Sequence, residues 1–179
     1  MKLPALLCLF ASLSFFGCAT RTPINLPPLN EAEYGPYASA GAAKVTGSVF
    51  LVTRGGDIKK GAARQVFLIP ATSFVAARMT NADNYYTTFD WLGFSGTDKE
   101  TIAKAWRHTR IAVADVEGKF VFSNIPAGKY VVESQLFWQY LNCGILGCRV
   151  TDTGAVLRQQ IDVTDGAVAD VQLTSVVNR

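Results

Sequence analysis

The chain predicts an all-β fold, a single antiparallel β-sandwich of about seven strands carrying a short helical, aromatic-rich insertion. Three observations predict it. Short β-prone segments with alternating apolar residues recur along the chain, and Gly, Pro, Asn and Asp clusters punctuate them at intervals that suit hairpins. Apolar residues make up 49% of the 179 and charged residues only 17%, which allows one sizeable core and excludes global disorder.

Val45, Gly47, Val49 and Leu51 alternate on one face, and Gly55-Gly56-Asp57 supplies the exit turn of this first strand. Gln65 to Ile69 is a second short strand, ending at Pro70, which has no N–H to donate to a ladder. Arg110 to Ala114 and Lys119 to Phe122 read as the two arms of an antiparallel hairpin around Asp115-Val116-Glu117-Gly118, with Gly118 available for a positive φ. Phe120 and Phe122, two residues apart, point to one face. Beyond Pro126-Ala127-Gly128, a long strand runs from Lys129 to Tyr140 with Tyr130 and Val132 facing inward. Two more strands, near Val156 to Val163 and Val168 to Leu173, flank the Asp165-Gly166 turn.

The insertion, residues 73–107, departs from this pattern. Thr97-Asp98-Lys99-Glu100 has capping-box spacing, and Ile102, Ala103, Ala105 and Trp106 give an apolar face, so a helix is predicted from Asp98 to about Arg107. Before it, Tyr85, Tyr86, Phe89, Trp91 and Phe94 exceed what a solvated connection needs, although aromatics can also cover an open sheet edge. Tyr85, Tyr86 and Trp91 are therefore the candidate binding residues, with aromatic rings suited to stacking on sugars or to a protein contact. Trp138, in a long apolar strand, reads as core, and Trp106 as the anchor of the helix.

Two blocks then point to a family. Val45-Thr46-Gly47-Ser48-Val49 with Val66-Phe67-Leu68-Ile69-Pro70-Ala71-Thr72, and Asp115-Val116-Glu117-Gly118-Lys119-Phe120-Val121-Phe122-Ser123-Asn124-Ile125-Pro126-Ala127-Gly128-Lys129-Tyr130, resemble carboxypeptidase regulatory-like domains. The resemblance covers roughly residues 44–174 and implies an Ig-like, transthyretin-type sandwich. It implies no chemistry, because such domains accompany many enzymes and receptors without catalysing their reactions.

At the other end of the chain, Lys2 precedes an apolar run from Leu3 to Phe16, too short to span a bilayer comfortably. It ends in Phe15-Phe16-Gly17-Cys18, which resembles the lipobox of bacterial lipoproteins, with Phe15 where the family usually has Leu. The resemblance implies a signal peptide over 1–17, a Cys18 carrying three acyl chains and, with Ala19 next to it, sorting to the outer membrane with the domain in the periplasm. The rival reading is a secretory cut after Ala19, giving a soluble periplasmic protein. Residues 18–43, with Pro23, Pro27, Pro28 and Pro36, read as the acylated N-terminus and a Pro-rich tether leading to the domain at 44–179, although docking of the tether onto that domain is also compatible with its composition. In an oxidising compartment Cys143 and Cys148 are expected to pair as a structural bridge, since Cys8 leaves with the leader and Cys18 is the anchor. Their spacing does not match a redox-active Cys-x-x-Cys.

Catalytic signals are weak. Gly93-Phe94-Ser95-Gly96 has the wrong glycine spacing for a nucleophile elbow, and His108, the single histidine, would have to serve Ser95 with Asp90 or Asp98 as its orienter. No cofactor-binding fingerprint or metal-ligand spacing occurs, and a net charge of +3 from scattered Lys and Arg gives no footprint for nucleic acid. The reading that follows is a non-catalytic lipoprotein of the bacterial envelope, a binding or structural module with an envelope protein as partner. A glycan- or peptidoglycan-binding module is the alternative, and a hydrolase using His108 comes third.

Overall fold

The computed structural model describes residues 26–81, 99–145 and 147–176. Among these, eight strands form two four-stranded sheets that face each other across one core. The first sheet holds β1 (Ala43–Val52), β2 (Ile58–Lys60), β5 (Lys119–Ile125) and β8 (Val168–Val176); the second runs in the order β4 (Arg110–Val113), β3 (Gln65–Pro70), β6 (Gly128–Gly144) and β7 (Gly147–Val163). Inward-facing Val45, Val49, Leu51, Phe120, Phe122, Val171 and Leu173 of the first sheet pack against Val66, Leu68, Tyr130, Val132, Leu136 and Leu157 of the second. Alternation at period two therefore sorts residues between core and surface as the β-sandwich reading requires.

β1 is the central strand of its sheet. One edge pairs with β8 in parallel from Lys44 opposite Val168 to Val52 opposite Val176, and the other is divided between antiparallel β5 and β2. An otherwise antiparallel sandwich thus contains one parallel ladder. Gly47 sits at its middle, directly opposite Val171.

The hairpin expected from Arg110 to Phe122 does not form as one ladder. β4 pairs with β3 at the edge of the second sheet, and β5 pairs with β1 in the first. The turn between them is as expected, with Gly118 at φ 79° and the Asp115 carboxylate accepting from the Glu117 and Lys119 amides at 2.8 Å each. It is a corner that carries the chain from one sheet to the other. Buried Ala114 on one side and Phe120 on the other reach the same core from opposite layers, and a flat hairpin could not accomplish that.

β6 and β7 form a long ribbon, in register from Gly128 opposite Val163 to Gly144 opposite Gly147. Near its tip Cys143 faces Cys148, and the two are joined in a disulfide with Cα atoms 4.0 Å apart, the pairing expected of these two cysteines. Lower on the ribbon, burial pushes the Tyr130 phenol up to about 12 while its hydroxyl donates to the Pro126 carbonyl at 2.9 Å.

A third layer covers the outward face of the second sheet. It consists of α1 (Ser73–Asn81), α2 (Lys99–Trp106) and a 3-10 helix at Glu31–Tyr37, joined in a separate cluster of Tyr34, Ile69, Phe74, Val75, Ala105 and Val131. α2 falls within the predicted span, whereas Thr97 and Asp98, its proposed cap, lie outside the described residues. α1 was not foreseen; Thr72 caps it, its hydroxyl accepting from the Val75 amide at 3.4 Å.

Residues 26–43, which composition reads as tether, are folded onto the domain. Tyr34 is buried with Leu26 and Leu29 packed beside it, and the Glu33 carboxylate accepts from both the amide and the hydroxyl of Ser73 at 2.7 Å. Those two hydrogen bonds hold the Glu33 carboxyl below its usual range and tie the segment to the start of α1. Proline content marks where regular helix and sheet stop, but a few apolar side chains suffice to dock such a segment.

Candidate functional site

Alternation along β3 and β6 places one set of side chains in the core and the other on the outward face of the second sheet. On that face Phe67 lies opposite Ile111 on one side and Glu133 on the other, and Glu133 in turn lies opposite Arg158. Among the described residues the helical layer does not cover the whole face. Beside α2 a cleft of about 790 Å³ opens, with Gln65, Phe67, Glu133 and Gln135 as its floor, Lys99, Ile102, Ala103 and Trp106 as its wall, and Ala63 and Arg64 at its rim.

Trp106 is fixed and yet accessible. Its ring meets Phe67 at 5.3 Å between centroids, inclined by 57°, and 37% of the residue remains exposed. The sequence reading of Trp106 as the anchor of the helix captured the first half of this; its exposure into a cleft is what that reading lacked. An aromatic ring packed on Phe67 and still partly exposed at the cleft is suited to contact with an apolar ligand face, and the amides of Gln65 and Gln135 supply both donors and acceptors at the same cleft.

The electrostatics of the floor are set by one ion pair. Arg158 Nε donates to Glu133 Oε2 at 2.6 Å, with side-chain exposures of 12% and 1%. Such a pair is rigid and screened from water, so Glu133 is held by its partner and does not project a free negative charge. At the rim, Arg64 donates through Nη2 to the Phe137 carbonyl at 3.0 Å, which ties its guanidinium to the backbone of β6.

A smaller cleft of about 530 Å³ lies at the root of the ribbon, between Trp138, Tyr140 and Thr153 on one side and the β1–β2 turn on the other. Trp138 is half-buried there, packed against the main core without being enclosed by it, which corrects its reading as a core residue. Long side chains on a two-stranded ribbon have only one layer of neighbours once the ribbon runs past the sheet.

The predicted binding residues Tyr85, Tyr86 and Trp91 lie outside the described residues, as do Ser95, Asp90 and Asp98 of the hydrolase reading. His108 is described. Its ring stacks on buried Tyr34 at 4.4 Å between centroids and 24° between planes, which gives it a packing role in the helical layer. Among the described residues no group of three or more His, Cys, Asp or Glu side chains is placed to hold a metal ion. No described helix is long and apolar enough to cross a membrane.

No family model and no curated protein matches the chain. Among solved structures, it is similar to a protein of Pseudomonas aeruginosa described as a "putative carbohydrate binding protein". The two are 25% identical with a TM-score of 0.68, over 84% of this chain and 100% of that one. Matches also occur to a minor pilin of Streptococcus agalactiae (12% identity, TM-score 0.39, 79% of this chain and 46% of that) and to the pilus backbone protein of Streptococcus pneumoniae (12%, 0.30, 74% and 41%). The chain thus spans the whole of the Pseudomonas structure and less than half of either pilus protein.

Proposed function

We propose that this domain is a non-catalytic saccharide-binding module, held at the bacterial envelope by acylation of Cys18. The observation that carries the reading is Trp106, packed on Phe67 and 37% exposed in the lining of a cleft that also presents the amides of Gln65 and Gln135. Sugars offer apolar C–H faces ringed by hydroxyls, and an aromatic platform flanked by amides complements both features. The likeness to the Pseudomonas protein, which spans that whole structure, supports the same reading. The carboxypeptidase regulatory-like character of the sandwich belongs to this proposal too, as a scaffold that presents the cleft and takes no part in chemistry.

Trp106→Ala is the test. Titration calorimetry against a panel of envelope oligosaccharides is expected to show affinity falling about tenfold or more, as for a buried aromatic contact. The ring also packs on Phe67, so a lower melting temperature is expected, and affinity is compared well below it with the fold of the variant checked by circular dichroism. Unchanged affinity in a folded variant would remove the cleft from consideration.

Anchoring has its own test. Cys18→Ala removes the only acylation site that the lipobox resemblance assigns, and the variant is expected to lose fatty-acid label and to leave the membrane fraction. Equal labelling and equal membrane retention would contradict a lipid anchor at that residue. A second reading, an envelope protein as the partner, is favoured by the exposed Leu141, Ile145 and Val150 on the disulfide-closed ribbon. Partner capture that survives Trp106→Ala would favour the ribbon over the cleft.

A further inference from the structure

We propose that the tip of the β6–β7 ribbon rests in the lipid surface to which Cys18 is attached, an inference that rests on the acylation reading and adds a second contact with the same bilayer. β3 pairs with β6 only as far as Ser134, so among the described residues the stretch from Gln135 to Gly144 has β7 alone as its ladder partner. At about 3.3 Å per residue this carries the tip about 30 Å beyond β3. The register sets what the tip presents. Leu141 lies opposite Val150 and Cys143 opposite Cys148, and period two puts both pairs on one face of the ribbon. Leu141 and Val150 are 62% and 63% exposed, and Ile145 at the turn is fully exposed. From Tyr140 to Thr151 the sequence has no Asp or Glu, and Arg149 is the one charged residue. The disulfide holds the two strands together beyond the support of β3, so the apolar face keeps its shape.

Such a tip suits a protein or a lipid, and the length of chain before the domain favours lipid. Leu26 already packs in the helical layer, which leaves residues 19–25 between the folded domain and Cys18. Fully extended, the chain from Cys18 to Leu26 spans about 28 Å at most. An acylated Cys18 therefore holds the helical layer within that distance of the bilayer, and a ribbon of similar reach meets the same surface once its axis tilts toward it. Leu141, Ile145 and Val150 would hold a free protein to lipid only weakly, but the tether makes their contact intramolecular. Arg149 complements anionic headgroups, and a tip without carboxylates meets no repulsion from them.

The test uses the full-length acylated protein in vesicles of phosphatidylethanolamine and phosphatidylglycerol that include a phosphatidylethanolamine with a diazirine on its acyl chain. After irradiation and trypsin digestion, mass spectrometry maps the lipid adducts. They are expected beside Cys18 and on the peptide from Tyr130 to Arg149. A variant combining Leu141→Gln, Ile145→Gln and Val150→Gln should lose the ribbon adducts several-fold while keeping those beside Cys18. All three side chains are exposed, so its circular dichroism should match the parent's. Adducts beside Cys18 alone in the parent would overturn the tip contact and leave the lipid anchor standing, with an envelope protein as the partner of the exposed residues. Ribbon adducts that persist undiminished in the triple variant would overturn the assignment to these side chains. A protein that does not float with the vesicles and carries no acyl chain at Cys18 would defeat the anchor, and this inference with it.

Discussion

Replacing Gly47 by alanine is expected to cost about 3 kcal/mol or more of folding stability, at the upper end of what overpacking a core position does. A Cβ at this position would lie 2.0 Å from the Val171 carbonyl oxygen and 2.7 Å from the Phe120 ring. The ring can shift, but the carbonyl belongs to the backbone of β8, paired with β1 over nine successive residues. Moving it would break the parallel ladder or push the two sheets apart. The control is Gly144→Ala near the ribbon tip, where the added methyl meets nothing within 4 Å. That variant should stay within about 0.5 kcal/mol of the parent, as surface substitutions do. Urea midpoints at constant slope would show both. A Gly47→Ala protein as stable as the parent would contradict the close approach of β1 and β8.

Much of this architecture was legible in the sequence because its signals are local. Gly118 could be assigned a positive φ from its place after Asp115-Val116-Glu117, and Phe120, Phe122, Tyr130 and Val132 could be assigned inward from alternation alone. Pairing is not local. Nothing in Arg110 to Val113 says that its partner is β3 and not β5, and nothing in Val168 to Val176 says that it runs parallel to β1. The cleft suffered from the same limit. Gln65 with Phe67, and Glu133 with Gln135, alternate outward along their strands, a pattern visible in the sequence, but only the pairing of β3 with β6 puts them on one floor. Trp106 was recognised as a helix anchor, and its remaining exposure depended on where α2 comes to rest over Phe67. The segment from Leu26 to Tyr37 reads as linker because Pro27, Pro28, Gly35 and Pro36 interrupt any regular periodicity, whereas its docking depends on Tyr34 and Glu33 finding Thr72 and Ser73, some forty residues away.

Glu133→Ala should be nearly as damaging as the change at Gly47, for an electrostatic reason. The carboxylate is 1% exposed and accepts from Arg158 Nε at 2.6 Å, and the guanidinium is itself only 12% exposed. Removing the carboxylate leaves a largely buried cation without that partner, a loss of about 3 kcal/mol. For a domain of this size that corresponds to a melting temperature about 6–12 °C lower. Much of the damage comes from the stranded arginine, so its removal should recover stability. The Glu133→Leu, Arg158→Leu double variant exchanges the pair for apolar volume and is expected to melt close to the parent, and well above Glu133→Ala, since buried pairs contribute little net stability against well-packed hydrophobic replacements. A double-mutant cycle through Glu133→Leu and Arg158→Leu then measures the coupling, expected to be about 1.5–3 kcal/mol. A single variant that melts with the parent, or a cycle without coupling, would show that the pair does not organise the floor of the cleft.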